Sequence, residues 1–187
     1  MRISGGGARG IPLAVPKGEL VRPATDGLRQ AVFSSLGARV AGARFLDLFA
    51  GSGAYGLEAF SRGAAGGTFV ERNPKAVACL RRNLTGVCRS LGRPESDLAV
   101  IEADVVATVA RLAGQPDLIF ADPPYELIDE VAPSIFARLA EHLDPAADAL
   151  IVFELPGEKE LLGAGWNCLK RIGRGSRQPT AAFYRRI

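Results

Sequence analysis

The stretch DLIFADPPYELID, residues 117–129, runs an apolar segment straight into an aspartate, two prolines and a tyrosine. Pro123 and Pro124 have no backbone N–H, so the segment cannot pair onward through them. Each also pushes the residue before it towards extended backbone, which stiffens Asp122 and Pro123. What stands at the tip is a carboxylate, a set of carbonyls and the flat ring of Tyr125. An amino group conjugated to a ring, its N–H bonds aimed at those acceptors, is the complementary ligand. A plain strand-ending turn accounts for the prolines but leaves the Asp122–Tyr125 pairing without a reason.

A second cluster lies upstream. DLFAGSGAYG spaces Gly51, Gly53 and Gly56 as GxGxxG, and glycine there permits positive φ and close approach of the backbone to a ligand. By itself the spacing fits a tight turn. It also fits a nicotinamide dinucleotide, with Glu71 where a ribose-binding acid belongs. Asp47 narrows the choice. It interrupts an apolar run just before the glycines, where a carboxylate is costly unless partnered, and beside a pyrophosphate it would repel. S-adenosylmethionine carries a sulfonium and an ammonium and no phosphate. A carboxylate at the base of the loop suits that cationic end, directly or through water. Glu71 has the lone pairs to accept from both ribose hydroxyls. Asp104, closing EAD, is placed to accept from the adenine amine, to cap the helix that follows, or both.

These residues need strands to hold them. From Arg44 onward apolar strands alternate with helices. RFLDLFA, GGTFVE, LAVIEAD, DLIFAD and ALIVFEL read as strands. AYGLEAFSR, PKAVACLRRNLTGVCRSL with Pro74 at its start, VVATVARLA and DEVAPSIFARLAEHL read as helices. WNCLKRIGRG and TAAFYRRI predict a final antiparallel pair. The alternation implies an α/β chain with a parallel sheet covered on both faces and right-handed crossovers. Ligands of such sheets sit at the carboxyl ends of the strands, by the switch point, and the residues singled out above all lie at strand ends. Ahead of the alternation, the first 20 residues are Gly-rich and basic and predict a short hairpin or arm. A helix should follow Pro23, with Thr25 as cap, Asp26 at its positive end, and Leu28, Ala31, Val32, Ser35 and Leu36 on one face.

With 187 residues the chain is long enough for one domain with a substantial core. Its net charge of +3 is unevenly spread. Residues 1–45 hold seven basic against two acidic side chains, residues 170–187 hold six basic and no acidic ones, and the middle holds ten against eighteen. Basic ends around an acidic middle suit a polyanionic partner. Cys79, Cys88 and Cys168 have neither disulfide-framework nor zinc spacing, so no metal is expected. No run reaches the length of a membrane span, and a cytoplasmic, monomeric protein is expected. His142, the only histidine, falls in a helix and reads as a surface residue.

DLFAGSGAYG, FVERNP, EAD and DPPY together resemble the class I S-adenosylmethionine-dependent methyltransferases that modify exocyclic amino groups. RISGGGARGIPL, RPATDGLRQAVFSSL and LEAFSRGA extend the resemblance to the RsmD-like guanine-N2 methyltransferases of bacterial small-subunit ribosomal RNA, over essentially the whole chain. Ile11 stands where the family usually has a basic residue, Gly27 where it has arginine and Gln30 where it has glutamate. The resemblance implies a Rossmann-like fold: a mostly parallel seven-stranded sheet with a final antiparallel strand, helices on both faces, all in one domain. It implies S-adenosylmethionine as cofactor, bound by Asp47, Phe49, Ala50, Gly51, Ser52, Gly53, Gly56, Glu71, Arg72, Asn73, Asp104, Val105 and Asp122. It implies catalysis by Asp122, Pro123, Pro124 and Tyr125 on a flipped guanine. Residues 1–40 would form a basic arm and helix meeting the RNA, with Arg2, Arg9, Arg22 and Arg29 as contacts and a partly or fully assembled 30S subunit as the substrate's setting. A DNA amino-methyltransferase shares DPPY and is the alternative, although 187 residues leave little room for a separate target-recognition region.

Overall fold

The computed structural model describes residues 1–16, 26–109, 114–173, 175 and 178–187. Its strands are β1 (Arg44–Leu48), β2 (Gly66–Glu71), β3 (Leu98–Glu102), β4 (Leu118–Ala121), β5 (Leu150–Pro156), β6 (Trp166–Ile172) and β7 (Pro179–Arg186). They form one sheet in the order β3-β2-β1-β4-β5-β7-β6. All pairings from β3 to β5 are parallel, and β7 is antiparallel to both β5 and β6. The chain steps outward from β1 to β3, then returns to place β4 against the other side of β1. That reversal is the topological switch point, and it opens a crevice at the carboxyl ends of β1 and β4.

The helices are α1 (Asp26–Leu36), α2 (Ala54–Ser61), α3 (Pro74–Leu91), α4 (Val105–Thr108) and α5 (Ile128–His142). One apolar core joins α1, α2 and α3 to one sheet face through Phe33, Phe60, Phe45, Phe69 and Phe120. A second, built on Ile135, Phe136, Leu139, Phe153 and Trp166, seals the other face. The α/β sandwich and the antiparallel end agree with the reading from sequence. One detail differs, and two expectations reach beyond the described residues. The helix expected over 105–113 is described only as α4, residues 105–108. Thr25, the expected cap of α1, lies outside the described residues. The inner face of α1 comprises Leu28, Arg29, Val32, Phe33 and Leu36, so Arg29 and Phe33 take the places given to Ala31 and Ser35. Among the described residues, no helix is long and apolar enough to cross a membrane.

The first residues do form a hairpin, but it is docked rather than projecting. Arg2 bridges Pro12 across its strands, and the Ile3 N–H donates to the Ile11 carbonyl at 2.9 Å. Ile3, Ala8 and Leu13 are buried. The hairpin is tied to α2 by Ser4, whose N–H and hydroxyl both donate to Glu58, at 2.8 and 2.7 Å. The Ser61 hydroxyl adds a second tie by donating to the Gly5 carbonyl and accepting from the Ala8 N–H.

Candidate active site at the carboxyl ends of β1 and β4

The glycine loop follows β1 and is shaped by its glycines in two ways. Gly51 and Gly53 take positive φ, which costs glycine nothing. Gly56 has an ordinary φ but no room: a Cβ there would overlap the rings of Phe69 and Phe45. Gly56 is therefore where α2 meets the sheet most closely. Replacing it by alanine should cost about 1–3 kcal/mol, as overpacking generally does, read as a lowered urea midpoint. Phe49 also takes positive φ, 59°, a conformation rare for a bulky side chain and typical of ligand-binding turns.

Asp47 lies beneath this loop, buried, and its Oδ2 accepts the Gly56 N–H at 2.8 Å. It thus holds the start of α2 against β1. Burial pushes its carboxyl up to about 8, opposed by the Gly56 hydrogen bond and assisted by the charge of Glu71. The unfolded chain releases this proton near the usual carboxylate value of about 4. Between those values the folded state binds more protons, so Asp47 makes stability fall as pH rises. Asn at this position keeps an acceptor for Gly56 and removes the charge. The stability of Asp47→Asn relative to wild type should therefore climb by about 1.4 kcal/mol per pH unit across that window, measured by denaturation at several pH values.

Glu71 ends β2 and reaches back to the loop. Its Oε2 accepts from the Gly51 N–H and its Oε1 from the Asn73 N–H, each at 2.8 Å. Each carboxylate oxygen keeps a further lone pair for a ligand hydroxyl. Asn73 is the N-cap of α3, accepting from the Lys75 and Ala76 N–H groups. Asp104 caps α4 through the Ala107 N–H and pairs with Arg72 at 3.5 Å. Val105 is buried in the second core, which leaves its backbone as the part able to meet a ligand. Ala50 and Ser52 are buried within the turn. Asn83 of α3 clamps that turn, donating to the Ser52 carbonyl at 2.9 Å, a support that its place in a polar-looking helix stretch did not announce.

Asp122 follows β4, with its N–H directed at the Leu48 carbonyl of β1. No described residue donates to its carboxylate or to the Pro123 carbonyl. Pro123 is buried, Pro124 exposed and Tyr125 half-buried, in a short turn of 3₁₀ helix over 125–127. Burial, with the charges of Glu154 and Asp47, pushes Asp122 well above the usual carboxylate range. Glu154, near the end of β5, completes the cluster. It is buried and accepts the Tyr55 hydroxyl at 2.8 Å. Sequence reading missed it, although a lone carboxylate in the apolar run ALIVFEL carried the same signal as Asp47.

Of the arginines expected to meet RNA, Arg2 and Arg9 are exposed on the hairpin, and Arg22 lies outside the described residues. Arg29 is a correction. Its side chain is fully buried and holds Glu58 at 3.3 Å and Asp26 at 2.9 Å, with a further bond to the Arg2 carbonyl. It fastens α1 and the hairpin to α2 and cannot touch a nucleic acid.

The family described as conserved hypothetical protein 95 matches residues 1–184. The ribosomal RNA small subunit methyltransferase D of Haemophilus influenzae is 31% identical over 178 residues, 94% of this chain and 89% of that one. The chain belongs to this RsmD-like methyltransferase family. The protein of the same name from Escherichia coli is 37% identical over 125 residues, 67% of this RsmD-like chain. That match spans only 60% of the E. coli relative's length. A solved E. coli chain, described as a candidate methyltransferase, superposes with a TM-score of 0.82 at 30% identity, covering 100% of this chain and 97% of that one. The RsmD-like chain therefore has the class I methyltransferase fold, as its sequence implied.

Proposed function

We propose that the protein transfers a methyl group from S-adenosylmethionine to N2 of a guanine in small-subunit ribosomal RNA. The observation that carries this reading is the tip of β4. There the Asp122 carboxylate and the Pro123 carbonyl stand without a donor from the described residues, beside the Tyr125 ring. Two acceptors next to an aromatic face suit the two N–H bonds of a base amine.

The cofactor fits the residues present. Asp47, Asp122 and Glu154 crowd negative charge at the loop, and each is pushed towards its protonated form. A ligand bearing positive charge relieves that crowding, whereas a pyrophosphate would add to it. Asp47, the loop of residues 49–53, Gly56, Glu71, Arg72, Asn73, Asp104 and Val105 form the cofactor's cradle in this reading. When bound there, S-adenosylmethionine would supply an electrophilic methyl group to the amine lone pair, with its sulfur as the leaving group. Asp47 ionises when the cation arrives, so binding should release protons and tighten as pH rises towards 8. Isothermal titration in buffers of different ionisation enthalpy reads that release.

The chain's own work at the amine is orientation. Tyr125 stacks on the flipped base. Asp122 and Pro123 hold its N–H bonds, and Pro124 keeps the turn rigid. This alignment turns the nitrogen lone pair out of the ring system, and positioning of this kind supplies a large part of a rate enhancement. Arg2, Arg9 and Arg22, within residues 1–40 of a single domain, meet RNA phosphates and give salt-dependent affinity.

The test uses small subunits from cells lacking the endogenous enzyme, with methyl-labelled cofactor, followed by digestion to nucleosides. Label in N2-methylguanosine is expected. Label in adenine or cytosine of supplied DNA, and none in RNA, would make this a DNA amino-methyltransferase instead.

A further inference from the structure

Glu154 is a buried carboxylate that the mechanism above does not use. The strand register shows where it sits. β4 and β5 run parallel with Phe120 beside Val152 and Ala121 beside Phe153, so the next residues, Asp122 and Glu154, are neighbours on adjacent strands. Such strands lie about 4.8 Å apart. Glu154 pairs across the sheet with Ala181, whose side chain belongs to the core under α1 and α2. Residues alternate in direction along a strand, so Asp122 and Glu154 share the face that also carries Phe120.

One group bonds to Glu154 and a second acts on it through its charge. The Tyr55 hydroxyl donates to its Oε2 at 2.8 Å, and the Tyr55 ring stacks on Phe120 with centroids 5.3 Å apart, directly below Asp122. Arg29 is the second. Its Nη1 is buried and has no partner among the described residues, and its charge favours the ionised forms of Glu154 and Tyr55. Burial nevertheless pushes Glu154 up to about 7.

We propose that Glu154, clamped by Tyr55, is the positioning partner of Asp122 in a proton-sharing carboxylate pair, and that the pair takes up the proton the target amine loses. This rests on the amine-methylation reading above. The balance is simple. Once the nitrogen has gained its methyl group it carries a positive charge. The electrons of one N–H bond return to nitrogen, and the proton passes to a carboxylate oxygen of Asp122. The pair's charge rises from its ionised value by one, and solvent removes the proton through the partly exposed Asp122. Two neighbouring carboxylates cannot both ionise freely. Glu154 thereby makes Asp122 a stronger base than an isolated aspartate, and the proton is taken up near neutral pH. The charged or titratable groups around the pair are Asp47 from β1, Tyr55 and Glu58 from α2, and Arg29 from α1. Glu71 acts from β2 through Asp47.

The test is Glu154→Gln in the full chain, which keeps an acceptor for Tyr55. Two readouts are taken. The first is the titration of Asp122 by carboxyl carbon NMR, which needs no RNA. Without its charged neighbour Asp122 should titrate lower by about one pH unit or more, as coupled carboxylates do. An unmoved Asp122 overturns the pair, whatever the substrate proves to be. The second is the pH profile of kcat/KM for methyl transfer. Its basic-form limb should move down by the same interval, with cofactor affinity kept within about twofold. A profile that falls uniformly without shifting overturns the role in proton uptake. Failure of the wild type to methylate any RNA sinks the functional reading and leaves the NMR result to decide the pair. Tyr55→Phe serves as the second variant: it should also move the Asp122 titration downward, since Glu154 then holds its own proton more tightly and presents less negative charge to Asp122.

Discussion

Asp122→Ala should lower kcat/KM for methyl transfer by about 10²–10⁴-fold, the range for removing a group that positions and deprotonates a reacting atom. The loss should lie mainly in kcat, because base stacking on Tyr125 and phosphate contacts remain. Folding should be unharmed or improved. The carboxylate is pushed well above its usual range by burial and by Glu154 and Asp47, and no described residue donates to it, so its removal relieves crowding. A thermal melt and a cofactor titration on the same preparation separate these effects. Wild-type activity in Asp122→Ala would sink the mechanism outright. Asp122→Asn is the finer probe. It keeps an oxygen acceptor but puts an N–H₂ group against the amine, so it should fall nearly as far as alanine.

The second large effect is on stability. Arg29→Met fills similar volume and removes the charge that Glu58 and Asp26 share. Breaking a buried ion pair from one side typically costs about 3–5 kcal/mol, because the partner charge is left uncompensated. Glu58 retains Arg62 at 2.7 Å and both groups of Ser4, which places the expectation at the lower end. For a chain of this size each kcal/mol moves the melting temperature by about 2–4 °C, so the fall should be near 6–12 °C. The companion variant Glu58→Gln in the Arg29→Met background should recover part of it. If Arg29 instead lay on an RNA-binding surface, Arg29→Met would leave the melt unchanged and weaken only RNA binding.

Arg29 also shows what residues alone disclose. The position was legible: 28, 29, 32, 33 and 36 are one helical face, and the periodicity allows an inward residue there. Its chemical type pointed the other way, since arginine is mostly exposed and its buried partners, Glu58 and the Arg2 carbonyl, are distant in sequence. Glu154 was hidden for a different reason. A carboxylate in an apolar strand is conspicuous, but its meaning depends on which strand lies alongside, and the order β4-β5-β7 is a property of the whole sheet. By contrast Asp47, the glycines, Glu71 and Asp104 were readable because loops at successive strand ends converge by topology. The strands and their alternation with helices were readable because their apolar runs are short, buried and bounded by turn residues. The docking of the first hairpin was not, because its ties to Glu58 and Ser61 span more than fifty positions.

The place of β7 has a consequence for how the molecule assembles. It is not at the margin of the sheet but slotted between β5 and β6, antiparallel to both. Until residues 179–186 are available, β5 ends the sheet with a row of unsatisfied N–H and C=O groups. Such an edge is open to pairing with another chain. The strand that carries Glu154 is thus among the last to be fixed, and a ribosome releasing this chain early would leave the carboxyl end of β5 as a template for aggregation rather than a paired wall of the sheet.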